Sequence, residues 1–260
     1  MKLRSIVLAV GLAALATSSS GKASAIVNGD IVKGPVAPSW IVAVHVTDLL
    51  CTGSLIDREW VLTAAHCIPK VTNPERALAV RVGTLDASEG GEQRQISAVR
   101  VHPRYKFDGS REREQGFRDI ALLRLSEPAT SAPIRFSTPD DRARWEPGQD
   151  VTAFGFGNAV PGVPESARVL RRADFRINER TNDGDRILST WEGRSLCHGD
   201  SGGPQVVWAD GEPRQVGVNS ELYAPRCQYG RGSYASVVGD RYGSAHEWIL
   251  RCAFRNECAE

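Results

Sequence analysis

The residues best equipped for chemistry lie in CHGDSGGP, residues 197–204, where Ser201 stands between Asp200 and a Gly-Gly-Pro turn. Glycines beside a serine let the backbone come close to a ligand and turn its N–H groups toward one point. An oxyanion hole needs that arrangement: two donors aimed at a carbonyl oxygen as it becomes negative. A serine hydroxyl alone is a poor nucleophile, so it needs a positioned base, usually His, and a group that orients the base. Thr63-Ala64-Ala65-His66-Cys67 offers the base, at the end of the strand-like run Trp60-Val61-Leu62 and beside a cysteine that a disulfide could pin. Asp119-Ile120-Ala121-Leu122-Leu123 offers an acid at the head of an apolar strand. A carboxylate buried there needs hydrogen-bond partners, and the His66 Nδ1–H could be one. Of the other histidines, His102 precedes a proline and reads as a turn residue, and His198 reads as the rim of the Ser201 site. His246 reads as a helix-surface residue, and His45 has no strand-end context. No pair of these histidines has ligand spacing, so no metal site is expected.

Such side chains need a rigid frame, and the chain reads as β. Short runs rich in Val, Ile, Thr and aromatics recur at 40–47, 60–64, 78–83, 95–101, 121–125, 151–155, 206–208, 215–218 and 233–238, separated by Gly, Pro, Asn and Asp. That spacing suggests sandwiches or barrels. The Pro-rich polar stretch 126–149 reads as a link between two β units. One helix is expected near the C-terminus, started by Gly243-Ser244, with Ala245, Trp248, Ile249 and Cys252 as an i, i+3, i+4, i+7 stripe. The charged insert 109–119, GSREREQGFRD, has no apolar period and reads as a solvated loop.

The 260 residues are 41% hydrophobic and 24% charged, with a net charge of +1. That composition excludes a disordered chain and a coat for nucleic acid. Lys2 and Arg4 precede an apolar run at 6–16 and a small-residue stretch ending in Ala23-Ser24-Ala25, the layout of a secretory signal peptide. The run falls short of the roughly 20 residues a membrane span needs, and no other segment approaches that length. Cleavage after Ala25 removes Lys2, Arg4 and Lys22 with no acid, so the net charge changes from +1 to −2. An alternative signal, 1–16, would leave 17–25 as a short propeptide. Export makes disulfides among the six cysteines expected.

At these residues the chain resembles the trypsin/chymotrypsin-like serine protease family. Four blocks stand in that family's order: Ile26-Val27-Asn28-Gly29, TAAHC at 63–67, DIALL at 119–123 and GDSGGP at 199–204. Gly53-Ser54-Leu55-Ile56, Val101-His102-Pro103 and Phe154-Gly155-Phe156-Gly157 are smaller echoes. Any one block is a modest signal, but four in order are specific. The resemblance implies an all-β fold of two packed six-stranded antiparallel Greek-key barrels and a C-terminal α-helix. The barrels would span about 26–130 and about 131–240, with helix and tail at 241–260. It implies Ser201 as nucleophile, His66 as base and then acid, Asp119 as the residue that holds the His tautomer, and the N–H groups of Gly199 and Ser201 as the oxyanion hole. It further implies that a free Ile26 amine pairs with Asp200, and that the cysteines pair 51–67 and 197–227, leaving Cys252–Cys258 by elimination.

For specificity, the resemblance places Ser195 at the base of the primary pocket, with Leu196 and His198 beside it. Gly232 would form the opposite wall, and Ser220-Glu221-Leu222 the edge that pairs with substrate. An uncharged Ser195 argues against a Lys or Arg choice, and Leu222 should narrow the entrance. The expectation is therefore a secreted monomeric serine endopeptidase with an apolar P1 residue of small to medium size. It would act on protein or peptide substrates, meet proteinaceous inhibitors, and bind neither nucleic acid nor, after export, membrane. The alternative is an inactive or highly selective homologue acting as a binding or processing factor. Glu89-Gly90-Gly91-Glu92 resembles a calcium loop, but Thr84 stands where a carboxylate is expected. Two carboxylates make a weak site, so no cofactor is predicted.

Overall fold

The structure, a computed structural model, describes residues 26–105, 118–137, 139–158, 168–180, 186–190, 193–222, 227, 231–236, 245–255 and 257–258. The expected leader 1–25, most of the charged insert, and Gly243-Ser244 lie outside them, as do the side chains of Glu221 and Leu222.

Strand periodicity sets the two sheets. In β5 (Leu78–Val82) Leu78, Val80 and Val82 point inward and are buried. In β10 (Arg171–Arg180) Arg171, Ala173, Phe175 and Ile177 are buried while the residues between them are exposed. That is the period of two that a sheet with one wet face demands. β2 (Ile41–Val46), β3 (Leu49–Asp57), β4 (Trp60–Thr63), β7 (Ala121–Leu125), β6 (Glu92–Val101) and β5 pair in that order and close into an antiparallel barrel. Register Val42↔Val82 seals β5 onto β2, so no edge remains.

The second sheet contains β9 (Asp150–Gly155), β12 (Pro204–Ala209), β13 (Glu212–Leu222), β14 (Arg231–Ser236), β11 (Arg186–Thr190) and β10. Its pairings run round a ring, because β9 bonds both β12 and β10. Two short strands go beyond the expected six. β1 (Asp30–Ile31) pairs with β10, and β8 (Arg135–Phe136) lies parallel to β13. The stretch 126–149 does lead from β7 of the first barrel to β9 of the second. It is more ordered than a polar link, because it carries β8 and a 3-10 segment, Pro139–Trp145. Trp145 is buried under the Arg180 guanidinium at 4.4 Å.

The C-terminal helix is short. α1 (Ala245–Ile249) widens into one π turn, Leu250–Phe254, with Cys252 bonded to Cys258 beyond it. Ala245, Ile249 and Cys252 are buried as expected, and Trp248 packs against His102 with ring centroids 5.0 Å apart and planes tilted by 56°. His102 is thus a core residue as well as a turn residue: its carbonyl accepts from the Tyr105 N–H, and its Nδ1 accepts from the Arg104 N–H. Burial, with Arg118 and Arg104 nearby, pulls its pKa down to about 4, so it stays neutral near pH 7.

Candidate active site

Antiparallel register brings the first two site residues together. Thr63 ends β4 opposite Ala121 at the start of β7, so the residues after Thr63 adjoin those before Ala121. The 3-10 turn Ala65–Cys67 then carries His66, and the Cys51–Cys67 disulfide fastens that turn to β3. Asp119 Oδ2 accepts from His66 Nδ1 at 2.6 Å, and Oδ1 accepts from the His66 backbone N–H at 2.8 Å. A third donor is the Ser220 hydroxyl, 2.6 Å from Oδ2. Asp119 is only 2% exposed. Burial alone would raise its pKa, but the His66 charge and these hydrogen bonds outweigh it and hold the carboxyl below its ordinary value.

Ser201 sits in the loop before β12, and that loop is held from three directions. Thr52 of β3 donates its N–H to the Ser201 carbonyl at 2.8 Å and its hydroxyl to the Gly199 carbonyl at 2.8 Å. The Cys67 sulfur lies 3.8 Å from the same Ser201 carbonyl oxygen, which puts the His66 turn against the serine loop. Asn219 donates to the Asp200 carbonyl at 3.0 Å and accepts from Gln205, a buried pair at the start of β12 and the end of β13. The Asp200 carboxylate is fully enclosed. It accepts from the N–H groups of Cys197 at 2.8 Å and Gly157 at 2.9 Å, and from that of Ile26. Ile26 is itself wholly buried, and Val27 bridges to Ser195.

The expected pocket residues are placed as follows. Ser195 and Leu196 are buried, and the Ser195 hydroxyl donates to the Leu196 carbonyl at 2.9 Å. Gly232 is the backbone partner of Leu222 across β13 and β14. His198 is exposed beside Gly199. The Cys197–Cys227 disulfide braces the loop's other end. In the Glu89–Glu92 loop, Glu92 is occupied by Arg94, the Thr130 N–H, and the Ser131 N–H and hydroxyl. The Thr84 hydroxyl contacts the carbonyls of Asp86 and Glu89. Among the described residues no group of three His, Cys, Asp or Glu side chains is placed to hold a metal. No described helix is long and apolar enough to cross a membrane.

Two contributors lay hidden in the sequence. Ser220 is expected in the edge that pairs with substrate, and its hydroxyl in addition serves Asp119. Thr52 reads as an ordinary mid-strand threonine, and nothing local marks it as the residue that ties both Gly199 and Ser201 to the first barrel.

Over residues 26–243 the chain matches the family model described as Trypsin. It is 32% identical to vitamin K-dependent protein C of Rattus norvegicus over 252 residues, covering 86% of this chain and 50% of that protein. It is 32% identical to coagulation factor XII of Rattus norvegicus, covering 82% of this chain and 37% of that protein. It is 28% identical to serine protease 28 of Mus musculus over 193 residues, covering 66% of this chain and 68% of that protein. The chain thus spans about half the length of protein C and less of factor XII.

Proposed function

Because the chain belongs to the trypsin family, we propose that it is a serine endopeptidase that hydrolyses peptide bonds through an acyl-enzyme on Ser201. The observation that carries this reading is the Asp119–His66 pair, with His66 Nδ1 donating to Oδ2 at 2.6 Å. A carboxylate cannot donate, so this bond puts the proton of the neutral ring on Nδ1 and makes Nε2 its basic nitrogen. In the mechanism His66 Nε2 takes the Ser201 proton as the hydroxyl attacks the scissile carbonyl. The carbonyl oxygen, becoming negative, is met by the N–H groups of Gly199 and Ser201. His66 returns the proton to the leaving amine, and water releases the acid product by the same route. No metal takes part in this reading, and the engagement of Glu92 by Arg94, Thr130 and Ser131 supports that. A fluorophosphonate probe should label wild-type protein and leave Ser201→Ala unlabelled. An inactive binding homologue would leave both unlabelled.

The reading extends to secretion and to substrate. Secretion rests on the 1–25 leader and on three closed disulfides. An apolar small-to-medium P1 residue rests on an uncharged, buried Ser195 at the pocket base. On a peptide library cleavage should follow residues such as Ala, Val or Leu. Cleavage confined to Arg or Lys would remove this part of the proposal.

Activation is read at Ile26. While residues precede it, its nitrogen is an amide without charge, and burial pushes Asp200 from 3.8 up to about 7 despite three N–H donors. Between those values the folded chain holds a proton that the unfolded chain releases, so stability falls as pH rises through the window. A free Ile26 amine supplies a cation to the carboxylate and cancels that slope. Scanning calorimetry should therefore show the uncleaved Ser201→Ala chain losing melting temperature from about pH 4 to 7. The same chain starting at Ile26 should not. N-terminal sequencing of exported Ser201→Ala protein should begin at Ile26; a start at Thr17 would favour the short propeptide.

A further inference from the structure

β10 buries one side chain that an apolar strand face does not call for. Arg171 lies in line with Ala173, Phe175 and Ile177 and is only 5% exposed. A guanidinium is costly to bury, and its usual compensation is a carboxylate together with several hydrogen bonds. Arg171 has neither. Among the described residues it forms no ion pair, its Nε has no partner, and its hydrogen bond runs from Nη1 to the Gly29 carbonyl. Asp30, the acid whose charge reaches it, points to solvent and pairs with Arg194 at 3.5 Å.

The carbonyl that Arg171 holds belongs to the turn that starts at Ile26. Gly29 donates its N–H back to the Ile26 carbonyl at 2.7 Å. The fold-back is close: a Cβ on Gly29 would lie 2.9 Å from Ile26 Cβ and 3.1 Å from the Arg172 carbonyl oxygen of β10. The turn is thus pressed between Ile26 and β10, and Arg171 fastens its last carbonyl. Ile26 in turn donates to the buried Asp200 carboxylate, next to Ser201. Two other bonds hold the same turn: Val27 N–H to the Ser195 carbonyl at 2.9 Å, and Asn28 Nδ2 to the Gly193 carbonyl at 2.6 Å. Both join neutral groups, whereas Arg171 supplies a charge-assisted bond, the stronger kind. The pairing Ile31↔Arg171 sets the guanidinium within reach, so β1 places the residue that fastens the turn before it.

We propose that Arg171 is a positioning residue that latches the segment beginning at Ile26 in its inserted state and so keeps the Ile26 amine against Asp200. The proposal rests on the activation reading above. Release of the segment strands Asp200 in the interior without its cation, so a hold at Gly29 is felt at Ser201. Loss of one charge-assisted bond from the inserted state raises the released fraction roughly ten- to a hundredfold.

The test measures how fast cyanate carbamylates the Ile26 amine in the chain starting at Ile26, read by mass spectrometry of the N-terminal peptide at fixed pH. Only the released segment offers its amine, so the rate reports the released fraction. Arg171→Met keeps the length and drops the charge, and it should raise the rate roughly ten- to a hundredfold. Arg171→Lys can still donate to the Gly29 carbonyl and should stay within about threefold of wild type. The rise in Arg171→Met should be flat in dilute guanidinium chloride, because local release exposes little surface. A rise that climbs with denaturant as steeply as global unfolding marks a merely structural Arg171 and overturns the proposal. So does an unchanged rate in Arg171→Met, or an equal rise in Arg171→Lys. A protected wild-type amine with an unchanged Arg171→Met rate sinks the latch alone and leaves the activation reading standing. A wild-type Ile26 amine that reacts as fast as that of a short peptide is not inserted, and the activation reading then falls together with the latch.

Discussion

Asp119→Asn is expected to lower kcat about 10⁴-fold near neutral pH while KM and the melting temperature change little. The reason lies in who donates to whom. All three contacts of the carboxylate are donors: the His66 N–H to Oδ1, and His66 Nδ1 and the Ser220 hydroxyl to Oδ2. An amide has only one acceptor atom, so one side must become a donor. If the amide nitrogen takes the Oδ1 place, it faces the His66 backbone N–H, which has nowhere to turn. If it takes the Oδ2 place, every bond can be kept. The Ser220 hydroxyl rotates to accept, and His66 shifts its proton to Nε2 so that Nδ1 accepts. The satisfied arrangement is therefore the inactive one, with a base whose Nε2 already carries the proton it should receive. Fluorophosphonate labelling should slow in parallel with kcat. A variant within tenfold of wild type would show that Asp119 does not set the tautomer.

The chemistry was legible in the sequence because its residues come with local context. His66 follows an apolar strand and precedes a cysteine, Asp119 heads another strand, and Ser201 lies among glycines. What was not legible depends on which strands meet. Thr63↔Ala121 decides that His66 and Asp119 are neighbours, and pairing between distant strands leaves no mark in either segment. The same holds for Thr52 and Ser220, ordinary residues until the two barrels face each other. It also holds for Gln205, Asn219 and Gln215, polar side chains in apolar runs that are buried because each finds a partner inside. The link at 126–149 was read as polar connection because its prolines and charges mask Trp145 and Ile134, which reach the core. The π turn after Ile249 had no signal at all, since one turn is too short for its wider i→i+5 spacing to show as a period.

Gly202→Ala is expected to cost two to three orders of magnitude in kcat/KM, because this residue is where the serine loop touches the barrel that carries His66. Its φ is +82°, and a Cβ there would lie 2.1 Å from Thr63 Oγ1, 2.2 Å from the Thr52 carbonyl oxygen and 2.9 Å from the Ala64 nitrogen. Rotating Thr63 away would cost its 2.8 Å bond to Thr52, and the Thr52 carbonyl belongs to β3 and is fixed by the barrel. The loop must therefore retreat by about 1 Å, a displacement that by itself costs about 10² in rate when it separates reacting groups. Retreat also strains the Thr52 N–H bond to Ser201 and the Gly202 N–H bond to Asn219, both 2.8 Å, which frame the oxyanion peptide. A misaligned oxyanion donor costs up to a further 10² or so. Gly211→Ala separates backbone strain from contact. Gly211 has nearly the same φ, +81°, but nothing lies within 4 Å of its Cβ position, at the β12–β13 turn. That variant should lose about 1 kcal/mol of stability and no activity. If the two alanines reduce kcat/KM equally, the contact argument fails. If only Gly202→Ala does so, in a protein that still melts cooperatively, the close approach of the two barrels at Gly202 acts together with the Thr52 bonds to set Ser201 against His66.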